Sequence, residues 1–265
     1  MFPVIEIGVV RIPVYTALFM LGFAIMIIMA RRIAERYNYP KADILYVSLY
    51  AGIGIFLGAK LMYFISKLPA IVAKFDVYIE YWKNEPMGAF NYSFGGLVFY
   101  GGLIGALLGA YIYCRQYKMP FHTLTDIFAP LIPFVHGIGR IGCFMAGCCY
   151  GKEYHGFGCV QFPANKLIPV LDDVPRIPVQ LIEAGLNFAV AGVLFVLMKK
   201  VKLKSGQLMG IYILYYTVAR FLLEMLRGDA ARGNVGGVST SQIISVILLP
   251  IGIALVSGKF SKNLA

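Results

Sequence analysis

Arg140 stands near the middle of an apolar stretch, residues 125–151, that reads as able to enter a membrane. A guanidinium at the centre of a bilayer costs about 2.5 kcal/mol or more on insertion scales, so intramembrane arginines mark sites that hold something anionic. In a membrane the anion at hand is a lipid phosphate. On a helix, His136, Arg140, Cys143 and Gly147 fall at i, i+4, i+7 and i+11 and share one face. A second charged cluster follows in Arg220, Glu224 and Arg227. Glu224 is placed to pair with Arg220 at i,i+4 and with Arg227 at i,i+3. One carboxylate neutralises one of the two guanidiniums, and the charge left over joins Arg140 in favouring an anion. The plain alternative is a polar seam that closes a helix bundle, with His136 a satisfied core histidine. Lys60 reads as structural, because a lysine stem can carry its ammonium to the interface.

Four of the five cysteines, Cys143, Cys148, Cys149 and Cys159, lie within 17 residues. Their C-x4-C-C-x9-C spacing is not the paired C-x2-4-C of zinc sites, so no metal is assigned. A disulfide outside the cytoplasm and small apolar filler remain open for them. Gly137, Gly139 and Gly142 with Arg140 fit G-x-G-x-x-G. The dinucleotide reading is rejected, because that motif needs a preceding strand and a βαβ unit. The physics that survives is close approach of glycine N–H groups to an anion.

The elements that must position these residues are set by hydropathy. The chain has 265 residues, of which 59% are hydrophobic and 14% charged, and its mean hydropathy is +0.74. That composition describes an all-α polytopic membrane protein in one integral membrane domain. Apolar runs fall at about 13–30, 44–66, 95–114, 124–146, 179–198, 207–226 and 241–258, each near the roughly 20 residues a helix needs to cross. Seven spans follow. The fourth is expected to be broken, because Pro130, Pro133 and its glycines interrupt the helical pattern. The first run lacks a charged n-region and a small-residue cleavage site, so it reads as a span and not as a signal peptide.

The formal charge of +11 favours anionic lipid surfaces. Basic residues sit in short loops and not in one patch, which argues against nucleic acid. Loops 31–43, 115–123 and 199–206 and the tail with Lys259 and Lys262 carry the excess. The positive-inside rule puts them in the cytoplasm, with the N-terminus outside and the C-terminus inside. Segments 67–94 and 147–178 are then external and long enough to form small extracytoplasmic caps. Glycines at small-xxx-small spacing (Gly52, Gly54, Gly58, then Gly101, Gly102, Gly105, Gly109) read mainly as close helix packing. The pair Gly101 and Gly102, beside Tyr100, is also placed to admit a ligand.

The segment from Asp126 to Gly151 resembles the signature region of the prolipoprotein diacylglyceryl transferases. These bacterial enzymes move a diacylglyceryl group from phosphatidylglycerol to the lipobox cysteine of prolipoprotein signal peptides. The resemblance runs along most of the chain. Tyr15 precedes Leu21-Gly22-Phe23 as the family's first-span tyrosine does. Ala51 to Tyr63 is similar to its second span, and Gly95-Gly96 through Gly105 to its third. Arg176-Ile-Pro-Val-Gln180 to Glu183 resembles its R-x-P-x-Q-x-x-E segment, and Ala219-Arg220 through Arg227 its F-R-x-x-x-E-x-x-R segment. Two positions depart: Tyr100 stands where the best-known members have histidine, and Cys143 where they have asparagine.

The resemblance implies a cofactor-free transferase of the bacterial cytoplasmic (inner) membrane. It implies that Arg140 and Arg220 hold the lipid phosphate. Tyr15, Gly101, Gly102, Cys143, Gly151, Glu224 and Arg227 are carried over as substrate-binding. A phenol is a poor base at neutral pH, so Tyr100 is read as an orienting or relaying group and His136 as the other candidate proton acceptor. The rival class is a non-enzymatic anion or lipid transporter, against which stands the lack of an internal repeat of spans. A third reading is a family member with altered thiol or lipid substrate.

Overall fold

A computed structural model describes residues 4–7, 10–162, 174–228, 234–235 and 238–258. The basic tail (Lys259, Lys262) and residues 163–173 and 229–233 are among those that lie outside them. The described chain is mainly helical. Strands occur as three two-stranded antiparallel pairs, β1 (Val4–Ile7) with β2 (Val10–Pro13), β3 (Val160–Gln161) with β4 (Pro175–Arg176), and β5 (Asn234–Val235) with β6 (Val238–Ser239).

Four helices are long and apolar enough to cross a membrane, and six spans result if each of two bent helix pairs is one span. The first is α1 (Val14–Ala34), whose 21 residues reach about 30 Å at 1.5 Å per residue. It ends on Arg31 and Arg32, where cations suit the negative end of the helix dipole. Then come α2 (Lys41–Ala73), α3 (Phe75–Asn84), α4 (Pro86–Phe94) and α5 (Phe99–Gln116), with a 74° bend between α4 and α5. Next are α6 (Phe121–Phe128) and α7 (Leu131–Ala146), bent by 41°. This is the break expected in the fourth run, and it falls at Pro130, whose missing N–H cannot continue the ladder. The last helices are α8 (Val179–Lys200), α9 (Gln207–Met225) and α10 (Thr240–Val256), the last a shorter apolar helix of 17 residues. It occupies the seventh expected run.

The packing is that of a chain whose solvent is lipid. Large apolar side chains such as Leu57, Leu61, Val193 and Val246 are more than half exposed, while Glu183 and Arg220 are buried at 2% and 5%. In hydrocarbon, polar groups must find partners inside the protein.

The chain divides into two compact units, one formed by residues 34–121 and the other by 1–33 with 122–265. In the first, α2 packs on α5 through glycines. A Cβ on Gly54 would lie 2.1 Å from the Gly105 carbonyl oxygen, and one on Gly58 would lie 2.2 Å from that of Gly101. Lys60, inside α2, donates to the Phe94 carbonyl at 2.5 Å, where the C-terminal end of α4 offers partial negative charge.

In the second unit α7 packs on α8, α9 on α10, and α1 on α7. Buried Asp126 organises one end of it. Its carboxylate accepts from the Gly206 and Met209 amides at 2.6 and 2.9 Å, so α6 caps the N-terminus of α9. At α10, Ser239 and Gln242 form a reciprocal capping box.

Candidate active site

Glu183 is the hub of the second unit's charged groups. It lies in the first turns of α8, and with Gln180 and Asn187 it forms a face buried at 0 to 3% exposure. Arg140 Nη2 reaches Glu183 Oε1 at 2.9 Å, His136 Nε2 reaches the same oxygen at 3.3 Å, and Arg220 Nη1 lies 3.9 Å from Oε2. Arg220 turns its Nη2 to Glu224 Oε2 at 2.6 Å and to Ser241 Oγ at 2.9 Å. Four helices therefore contribute: α7 gives His136 and Arg140, α8 gives Glu183, α9 gives Arg220 and Glu224, and α10 gives Ser241.

Local sequence explains the convergence. Arg140 follows His136 by one turn, so both face α8. Gly137 lets the two helices approach, since a Cβ there would lie 2.8 Å from the Phe188 ring. Gly142 does the same for α1, with Tyr15 carbons 3.2 and 3.3 Å from its virtual Cβ. Gly139 has open space. These glycines do not form an anion-binding nest, which corrects the expectation from the G-x-G-x-x-G pattern. They lie in the continuous helix α7, where N–H groups are spent on carbonyls four residues back.

Arg140 and Arg220 share Glu183, Arg220 is also held by Glu224, and Arg227 lies beside Cys149. Hydrogen-bonding capacity is left over. Among the described residues, Arg140 Nε and Arg220 Nη1 are buried donors with no hydrogen-bond acceptor, and Glu183 Oε2, 3.9 Å from Arg220 Nη1, is a buried acceptor with no donor. Each buried donor left this way costs about 1–3 kcal/mol. Two such donors on neighbouring guanidiniums are matched by an anion with several acceptor oxygens.

The loop after α7 folds back over this end. Gly147 ends the helix in the left-handed region (φ 74°), and the Cys148 amide returns to the Cys143 carbonyl at 3.1 Å, the closure of a Schellman turn. Gln180 Nε2 donates to the Cys148 carbonyl at 2.8 Å. Residues 151–152 then run between 226–228 and 175–177. The Gly151 amide bonds the Ile177 carbonyl at 3.0 Å, and the Lys152 amide bonds the Leu226 carbonyl at 2.9 Å. A Cβ on Gly151 would lie 2.6 Å from the Ile177 oxygen, so its glycine is required by backbone packing. Buried Arg227 is bridged to Gly151 and lies beside Cys149. Hydrogen bonds from Cys143 and Cys148, together with Arg227, hold the Cys149 thiol well below its usual range. Arg176 stacks on Tyr150, its guanidinium carbon 4.6 Å from the ring centre.

Of the residues expected from sequence, His136, Arg140, Arg220 and Glu224 meet around Glu183. Tyr15 and Cys143 lie at the same end of α7, in the electrostatic surroundings of Arg140. Gly151 and Arg227 are joined in the strand-like bridge beside them. Tyr100, Gly101 and Gly102 belong to the other unit. There Gly101 packs on Gly58, and the Tyr100 ring meets Phe99 edge-on at 5.7 Å. Sequence reasoning gave no role to Glu183, Gln180 or Ser241. The signal for Glu183 was present, since an ionisable residue inside an apolar run is a site candidate by default.

A multi-pass helical fold with guanidiniums buried against glutamates defines an integral membrane protein with a charged interior. Comparison with known proteins specifies the family. The prolipoprotein diacylglyceryl transferase family model matches residues 3–257. A phosphatidylglycerol–prolipoprotein diacylglyceryl transferase of Clostridium tetani is 32% identical over 239 residues, covering 90% of each chain. One from Clostridium perfringens is 33% identical over 246 residues (91% of this chain, 90% of the relative), and one from Polynucleobacter necessarius 30% over 266 (98% and 95%). The chain belongs to the prolipoprotein diacylglyceryl transferase family.

Proposed function

We propose that this chain transfers the diacylglyceryl group of phosphatidylglycerol to the lipobox cysteine thiol of prolipoprotein signal peptides, in the bacterial inner membrane. The single observation that carries the chemistry is the pair of buried donors, Arg140 Nε and Arg220 Nη1, left without acceptors beside Glu183. The names of the relatives supply the substrates. A non-enzymatic transporter would share the buried arginines but not the family membership.

In this reading the phosphate of phosphatidylglycerol lies against Arg140 and Arg220. The acceptor thiolate attacks the glyceryl carbon next to that phosphate. A C–S bond forms, the C–O bond to phosphate breaks, and its electron pair leaves with glycerol 1-phosphate. The guanidiniums meet charge that grows on the departing oxygen, the arrangement that lowers such barriers. Glu183 and Glu224 fix both guanidiniums before substrate arrives. The thiol's proton goes to His136, our candidate acceptor. A neutral imidazole donating Nε2–H to Glu183 presents Nδ1 as a base. No cofactor takes part in these steps.

Tyr15, Cys143, Gly151 and Arg227 are assigned in this reading to phosphatidylglycerol binding, supported by the nearness of Tyr15, Cys143 and Arg227 to Arg140 and by the Gly151–Arg227 bridge. The excess of basic residues in loops 31–43, 115–123 and 199–206 supports the orientation with those loops inside. Cysteine-accessibility labelling of intact cells should leave them unlabelled and mark residues 67–94. Labelling of loop 199–206 from outside would invert the topology.

The decisive test supplies purified protein with phosphatidylglycerol vesicles and a lipobox peptide. Thioether product and glycerol 1-phosphate should appear together. Phosphatidylglycerol moved between leaflets with no product formed would favour the transporter. Transfer rates of His136→Ala, Tyr100→Phe and the double variant across pH 6–9 test the proton route. Loss of a general base costs about 10²- to 10⁴-fold, and an unchanged rate for His136→Ala would remove it from that role.

A further inference from the structure

Cys143, Cys148 and Cys149 are thiols in the structure, and their sulfur atoms all lie within 4.8 Å of one another. The proposed transfer gives Cys143 a place beside the lipid but makes no use of the convergence of three sulfurs. Their convergence is a product of the backbone. The Schellman turn at Gly147 brings Cys148 back onto the last turn of α7, with its Sγ 3.6 Å from the Cys143 carbonyl. Cys149 then adopts the left-handed region (φ 64°), which few side-chain-bearing residues occupy. That conformation turns the chain again and keeps the third sulfur with the other two. The C-x4-C-C spacing hid the cluster, because it looks nothing like a linear zinc-binding motif.

We propose that Cys143, Cys148 and Cys149 form a three-thiolate site for one soft d10 cation of the zinc class. A Zn–S bond of about 2.3 Å places two ligand sulfurs of a tetrahedral site about 3.8 Å apart, so this spacing needs only small side-chain adjustments. Soft thiolates select such ions over magnesium or calcium, which prefer oxygen. Charge also fits. Three thiolates around a divalent ion leave one net negative charge, and the Arg227 guanidinium lies beside Cys149. Binding replaces the remaining S–H bonds by metal–sulfur bonds and releases those protons to solvent. Three protein ligands leave the fourth tetrahedral position open, to a water or a further thiol. The site is built from this chain's own side chains and stands whether or not the transfer reading is correct.

The test uses full-length protein in detergent, reduced with a phosphine so that no small thiol competes. After loading with Zn2+ and desalting, metal analysis should find about one ion per chain, as a single three-cysteine site requires. Cd2+ in its place should give a sulfur-to-metal charge-transfer band in the near ultraviolet. The Cys143→Ser, Cys148→Ser, Cys149→Ser triple variant should lose ion and band, while the Cys114→Ser, Cys159→Ser double variant keeps both. Should the triple variant fail to fold, alkylation of the wild-type protein decides. Zn2+ should protect the three clustered cysteines and leave Cys159 as reactive as before. Wild-type protein that retains no Zn2+, equal retention by the triple variant, equal alkylation with and without Zn2+, or a disulfide within the cluster of the reduced, loaded protein would each overturn the proposal.

Discussion

Between α2 and α5 the two backbones meet at glycine, with carbonyl oxygens where side chains would otherwise stand. Between α7, α8, α9 and α10 the helices meet through Glu183, two arginines, a histidine and a serine. Both arrangements hold helices together in lipid, where apolar burial gives no preference for protein over solvent. The glycine contact brings the α2 and α5 backbones together by shape alone. The charged contact is held by fewer and more expensive interactions and retains donors that its own residues do not use. In the second region the charged groups converge, with Arg140 and His136 on Glu183 and Arg220 held chiefly by Glu224 and Ser241.

That contrast predicts unequal sensitivity. Glu183→Ala leaves two buried guanidiniums without their shared counter-charge, and removing one partner of a buried ion pair costs about 3–5 kcal/mol. Denaturant titration in detergent should show this loss, and an unchanged midpoint would mean that Glu183 is not the hub. In the glycine region the sharp comparison lies two residues apart. A Cβ on Gly54 meets backbone at 2.1 Å, whereas one on Gly52 meets nothing within 4 Å. Gly54→Ala should cost about 1–3 kcal/mol by overpacking, and Gly52→Ala should be neutral or slightly stabilising. Equal effects would show that α2 and α5 do not pack as described. Within the charged region a smaller effect than that of Glu183→Ala is expected for Ser241→Ala. It removes a hydrogen bond to Arg220, a loss of about 1.5–3 kcal/mol for a charged partner, softened because Glu224 still holds the same nitrogen. Its transfer rate should fall more than its stability.

The sequence shows the charged region more clearly than the glycine region, and for physical reasons. Arg140 and Arg220 are conspicuous because each charge sits inside an apolar run. The break at Pro130 is visible because proline has no N–H. Glu183 stood in the R-x-P-x-Q-x-x-E segment without a role, because its partners His136, Arg140 and Arg220 sit on other helices. Only the folded chain shows that α7 and α9 both lean on it. The extension of α2 to Ala73 was not legible, because Pro69 reads as a helix stop, and the 74° bend after α4 depends on how the chain packs. The meeting of Cys143, Cys148 and Cys149 depends on two left-handed residues, Gly147 and Cys149, and the second has no sequence signal at all.

The central claim is that Arg140 and Arg220 hold a phosphate through their planar forks and not merely through charge. Transfer from phosphatidylglycerol to a lipobox peptide should be measured for Arg140→Lys and Arg220→Lys beside the alanine variants, with folding checked for each. Removing one such donor group costs about 10²- to 10³-fold in related electrostatic sites, and lysine, a point charge, should recover little of it. Near-wild-type turnover in both lysine variants would contradict the clamp.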